Sequence, residues 1–316
     1  MKRFLTGIAL SIALIAPLMA AESIDRSEPI QPDQRLRVEI PRGEVTLMAS
    51  DDGQVSVQGS LDEDTESFEF ATRGDEVVVI LRLPSSMEKQ WDGSGDRGAR
   101  LTIRYPRNNA LQYSTISADT EANELGEIRM ESVSGDFMLN SIQGRSQIET
   151  VSGDIEARNL TGEANLETVS GDVEGNLSGS ALRVHTVSGD INLKSDASQV
   201  NLESVSGDID ARLSNIDQLR GGTVSGELTI ELAQLDSGGE IALETVSGDI
   251  SLRHQGAIDA QVTADTGPGG SIRNGWSDDE PSRGRYVSNE NLDLRLGQGQ
   301  ARVRLNTVSG DLQLKK

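Results

Sequence analysis

Glu149-Thr150-Val151-Ser152-Gly153-Asp154-Ile155 decides the fold, because its central four residues return again and again along the second half of the chain. Val-Ser-Gly-Asp starts at Val133, Val151, Val169, Val187, Val205, Val246 and Val308, and a further copy at Val224 carries Glu227 in place of Asp. The first five starts are 18 residues apart, and the next two intervals are 19 and 22. A fixed period of about 20 residues marks a stacked repeat architecture, in which a unit buries its apolar face only against its neighbours.

Aligning the copies on Val brings like residues into columns. Three positions before it stand Met130, Ile148, Leu166, Val184, Leu202, Leu243 and Leu305; four after it stand Phe137, Ile155, Val173, Ile191, Ile209, Leu228, Ile250 and Leu312. A further apolar column lies five positions before it, as at Ile128, Leu182 and Ile241. Apolar positions two apart have the spacing of a strand with one buried face. Inward positions have odd offsets before Ser-Gly-Asp and even offsets after it, so the backbone must bend there. The expected reason is a glycine with positive φ and an Asp that bonds its own nearby backbone. Second turns are expected at Thr161-Gly162-Glu163 and Ser178-Gly179-Ser180. The predicted fold is all-β: a parallel β-solenoid (β-helix), right-handed, with coils of about 18–22 residues stacked roughly 4.8 Å apart.

The first 20 residues read as a secretory leader, with Lys2 and Arg3 before the apolar run Phe4 to Leu18 and small residues at Ala20 and Ala21. The expected organisation is a leader at 1–20 and a flexible segment at 21–35. Irregular β-rich coils follow at 36–110, then the regular solenoid at 111–316 with a loop insertion at about 273–290. Residues 41–48, Ser117-Ala118-Asp119 and Ala264-Asp265-Thr266-Gly267 read as worn copies of the repeat. Leader removal takes the formal charge from −22 to −24, a poor match for nucleic acid or anionic membrane. No later run is long and apolar enough for stable membrane insertion. The protein is expected to be exported, periplasmic or secreted. The absence of Cys excludes disulfides, thiolate nucleophiles and Cys-ligated metals.

The strongest repeats are Glu149 to Ile155 and Glu244-Thr245-Val246-Ser247-Gly248-Asp249-Ile250, and the closing stretch runs from Ala301 to Leu312. With the leader, they resemble the bacterial DUF4097-type adhesin-like family, whose members carry Thr-Val-Ser-Gly-Asp-Ile repeats. The resemblance spans about residues 36–314 and implies an adhesin-like fold, without site residues to carry across.

Several columns are candidates for chemistry. Asp136, Asp154, Asp172, Asp190, Asp208, Glu227 and Asp249 would stand on one edge. A turn-forming role is expected, with Ca²⁺ as the alternative, although the Gly-rich nonapeptide of calcium β-rolls is missing. No other cofactor is indicated. Glu131, Glu149, Glu167, His185, Glu203 and Glu244 read as a solvated face or a stripe for a cationic partner. Ser132, Thr150, Thr168, Thr186, Ser204, Thr223, Thr245 and Thr307 read as a stacked hydroxyl ladder. Neither His185 nor His254 lies in a metal-ligand or triad pattern. Trp91 and Trp276 sit in Gly- and charge-rich interruptions. There they would either contact a ligand or partner or fold back to cover the stack.

The composite expectation is a non-catalytic envelope or secreted adhesin-like binding or scaffolding protein, with an envelope protein or polysaccharide as partner. The alternatives are a polysaccharide-active β-helix enzyme, which would need a distinct carboxylate pair in a cleft, or an accessory of envelope-stress signalling.

Overall fold

The structure, a computed structural model, describes residues 22–84, 98–285 and 288–316. The leader and Trp91 lie outside the described residues. Every regular element among the described residues is a strand. The apolar columns align in parallel register from layer to layer. Met130 pairs with Ile148, Ile148 with Leu166, Leu166 with Val184 and Val184 with Leu202. On the second face, Phe137, Ile155, Val173, Ile191, Ile209, Leu228 and Ile250 follow one another in the same way. All of these side chains are buried and belong to one continuous core. The result is a solenoid-like all-β stack, held by hydrogen bonds between layers and by an aliphatic interior.

The worn copies take the positions that the repeat assigns to them. Gly43 and Glu44 pair with Ala118 and Asp119. Thr266 pairs with Thr307, and Ile272 with Leu312.

The order of the layers departs from the order of the chain at both ends. Ala301–Thr307 lies between Leu228–Thr245 and Ala260–Thr266, and Leu312–Lys315 lies between Ile250–His254 and Ile272–Asn274. The chain thus skips a layer after His254, lays down the outer one, and returns with its last residues to fill the gap. The first layer is enclosed likewise. Arg35–Glu39 is flanked by Glu76–Arg82 and Leu111–Ser114, and Arg42–Ser50 by Ala99–Pro106 and Ser117–Asn123.

An open strand edge presents unpaired N–H and C=O groups, and this layering leaves neither terminal layer on an edge. Antiparallel strands then cover the outer layers. Ser67–Arg73 pairs with Glu76–Arg82, Gln54–Ser60 with Ala99–Pro106, and Glu290–Arg295 with Ala260–Thr266. The segment expected to be flexible contains Ser23–Pro29, a strand that completes one cover by pairing with Gln54–Ser60. It is ordered because Ile24 and Ile30 reach the core. Arg42 fastens the same end, donating to Asp62 at 2.5 and 2.9 Å and to Asp64 at 2.8 Å.

Candidate binding surface

Each Val-Ser-Gly-Asp segment forms a corner between the two faces, and most of the hydroxyls before Val and of the Asp carboxylates bond to backbone. In six copies, Ser132 to Thr223, the hydroxyl before Val accepts a hydrogen bond from the Gly N–H three residues on, as Ser132 does from Gly135 at 2.8 Å, Thr168 from Gly171 at 3.0 Å and Thr186 from Gly189 at 2.9 Å; the buried Thr245 hydroxyl has no such partner. The expected hydroxyl ladder is therefore a set of local turn bonds. A buried hydroxyl that closes its own turn has no need of a hydroxyl in the next layer. Three hydroxyls also reach a glycine carbonyl of the neighbouring layer, as Thr307 does to Gly248 at 3.1 Å.

The glycine is required for a reason other than the one expected. None of the repeat glycines has left-handed φ. A Cβ on Gly171 would lie 1.9 Å from the Gly153 carbonyl oxygen, and one on Gly189 1.8 Å from that of Gly171. Neighbouring corners touch backbone to backbone, and only hydrogen fits between them. Positive φ belongs to the second turn, at Gly162 (116°) and Gly179 (152°).

The Asp column bonds between layers. Asp136, Asp154, Asp172 and Asp190 each accept through Oδ1 from the backbone N–H of the next Asp, at 2.8–2.9 Å. Asp119 starts the series, and Asp208 accepts from Glu227 N–H. The ladder follows the spliced order at the far end, where Asp249 accepts from Asp311 N–H and Asp311 from Ser271 N–H. Among the described residues no group of three or more His, Asp or Glu side chains is arranged to hold a metal ion.

With these groups engaged, the Val of each repeat is left at the surface. Val133, Val151, Val169, Val205, Val224, Val246 and Val308 are 39–57% exposed, Ile116 is 42% exposed, and Val187 is half-buried. They form one line: Ser134 N–H bonds the Ile116 carbonyl, Ser152 N–H that of Val133, and so on to Ser309 N–H on Val246. The signal was present in the sequence. Offset zero has the outward parity, so the residue used for alignment had to point away from the core. Scattered exposed apolar residues are ordinary, but a contiguous line marks an interaction surface.

Carboxylates flank this line on both sides, the Asp column three residues after each Val and the Glu column two residues before it. At one end Arg129 partly neutralises the Glu column, reaching Glu131 at 2.8 Å and Glu149 at 3.2 Å. His185 lies 3.6 Å from Glu203. Towards the other end the column is interrupted by Gly222, where a Cβ would meet nothing nearer than 3.8 Å. A groove of about 680 Å³ opens there, between Glu203 and Glu244 on one wall and Val205, Val224, Val246 and Val308 on the other.

Trp276 lies at the end of the stack and is only 7% exposed. Its Nε1–H donates to the Lys315 carbonyl at 2.7 Å, and its ring meets His254 edge-to-face at 6.4 Å. Little of the ring is at the surface. His254 is buried beneath it, and burial lowers its pKa. At the start of Ile272–Asn274, Glu290 accepts from Ile272 N–H at 2.8 Å and from Arg283 at 2.7 Å, which together hold its carboxyl below its ordinary value.

These features define a layered, solenoid-like all-β protein whose repeated corner forms a surface rather than a cleft. The family model described as Toastrack DUF4097 matches residues 34–240 and 176–315. The chain belongs to that family.

Solved structures are similar at low identity. A protein of Parabacteroides merdae provisionally described as an adhesin shares 10% identity over 74% of this chain and 97% of its own, with a TM-score of 0.44. One of Parabacteroides distasonis provisionally described as lipid binding shares 10% over 93% and 97%, also at 0.44. A Clostridium sporogenes protein provisionally described as a cell adhesion protein shares 8% over 93% and 99%, at 0.29. No curated protein matches the sequence. No helix among the described residues is long and apolar enough to cross a membrane.

Proposed function

We propose that the chain is a non-catalytic binding or scaffolding protein of the bacterial envelope or its exterior, using the stacked corners to hold a partner. The observation that carries this reading is the line of nine apolar side chains from Ile116 to Val308, kept at the surface by a backbone that is bonded layer to layer. Such a backbone is pre-organised, so little conformational entropy is lost when a partner settles on it. Most of the corner hydroxyls and the Asp carboxylates are already hydrogen-bonded to main-chain N–H groups.

The test is to immobilise the mature protein and pass envelope protein and polysaccharide fractions over it. Stoichiometric retention of a component, recovered with unchanged mass, is the expected result. Conversion of a polysaccharide to shorter products would overturn the reading and favour the enzyme.

A further inference from the structure

We infer that the valine line is a docking surface for a basic amphipathic helix, with a Lys or Arg of that helix seated over Gly222 between Glu203 and Glu244. This rests on the binding role proposed above and identifies the chemistry of the partner.

Charge sets the flanks of the occupant. On one side of the line stand Asp190, Asp208, Glu227, Asp249 and Asp311, all exposed or partly so. On the other stand Glu203, Glu244 and Asp265, which line the groove with the valines. Basic groups on that face stand further from the valines: Arg183 and Arg220 are exposed four residues before Val187 and Val224, Arg304 is engaged with Glu240 at 2.9 Å, and His185, which also lines the groove, lies 3.6 Å from Glu203. A second copy of this chain would bring carboxylates against carboxylates, and like charges across an interface are unfavourable. A partner with an apolar line between two basic flanks satisfies both features.

Spacing sets its conformation. The valines recur with the layers, roughly 4.8 Å apart. A helix lying along the stack presents one apolar residue per turn of about 5.4 Å, a drift of only ~0.6 Å per turn. It stays within half a spacing for about four turns, enough to follow Val187 to Val308. An extended strand repeats its face every ~6.7 Å and loses register by the second residue. At Gly222 the missing side chain leaves a gap in the acidic column, open to a basic side chain from above.

The test uses the mature protein and a synthetic 18-residue helical peptide with a Leu line flanked by Lys, followed by fluorescence anisotropy. Two comparison peptides carry Glu for Lys, or Ser for Leu. The triple variant Val205→Thr, Val224→Thr, Val246→Thr keeps shape and β-branching at exposed positions, and Gly222→Leu fills the gap; unchanged melting verifies that each is folded. The Lys/Leu peptide is expected to bind more weakly as salt rises, and to lose at least tenfold in affinity to either variant. The Glu peptide is expected not to bind.

Failure of the Lys/Leu peptide to bind the wild type would overturn the inference. So would equal binding of the Ser/Lys peptide, equal binding by the triple variant, or self-association of the wild type that the triple variant abolishes. An envelope component retained equally by wild type and triple variant would leave the binding role standing and remove the valine line as its site.

Discussion

The backbone N–H of Asp172 donates to the carboxylate of Asp154, 18 residues earlier and one layer away, at 2.9 Å. This rung makes the Asp column a structural ladder, and it explains why stacked carboxylates are tolerated: each Asp is offset by a main-chain donor. Asp172→Ala should cost about 0.5–1.5 kcal/mol, because the Asp190 N–H loses its acceptor in the neighbouring layer. Asp172→Asn, which keeps an acceptor oxygen, should cost less.

Among the described residues the rung from Asp249 to Glu227 is not made, since the longer Glu227 side chain bonds Thr229 instead, at 3.2 Å. Glu227→Asp is therefore expected to stabilise by up to about 1 kcal/mol, read as a higher Tm. Addition of millimolar Ca²⁺ should leave the Tm of both forms unchanged.

Substitution at the corner glycine should be far more damaging than its mild chemistry suggests. Gly171→Ala places a methyl group 1.9 Å from a backbone oxygen that belongs to the neighbouring layer and has no room to retreat. A loss of about 3 kcal/mol or more is expected in denaturant unfolding. Gly53→Ala, at an exposed turn with nothing within 4 Å, should cost about 1 kcal/mol for its positive φ alone.

Thr186 is fully buried, and its hydroxyl receives the Gly189 N–H. Thr186→Ser retains that bond and should be nearly neutral. Thr186→Val is the same size but strands a buried donor, at about 1–3 kcal/mol. A Val variant as stable as the wild type would show that the bond contributes nothing.

The Trp276–His254 contact makes the far end sensitive to acid. Burial holds the His254 pKa below its ordinary value of 6.5, so below that pH the unfolded chain binds the proton more readily than the folded one. Stability from this group is complete above the unfolded pKa and declines as pH falls through it. His254→Phe should flatten the dependence of Tm on pH between about 7.5 and 5, the range spanning an ordinary His pKa. Trp276→Ala, which removes the cover, should cost about 3–5 kcal/mol. It should expose Ile272–Asn274 to hydrogen exchange before the centre of the stack opens.

The corner was legible in part. Its position followed from the change of parity around Ser-Gly-Asp, and its worn copies at Gly43, Asp119 and Thr266 fall where the repeat puts them. The roles of its residues were less legible, because a sequence shows which residues recur and not what lies one layer away. Gly171 could be seen as a bend; that its hydrogen faces Gly153 required the stack. Thr186 could be seen as one of a column; that its partner is Gly189 required the turn. Trp276 could be seen as a contact or a cover; its burial and its bond to the Lys315 carbonyl are visible only in the folded chain.

By itself the sequence determined that the chain forms layers, which side chains fill them, and where each layer bends. Those properties depend on alternation and period, and both are written residue by residue. The tertiary structure alone decided which layer lies on which. All the coils carry the same apolar columns, so the last one fits between Ile250–His254 and Ile272–Asn274 as well as it would at the end. The inner place wins because it satisfies hydrogen bonds on both of its edges, a gain that no single coil encodes.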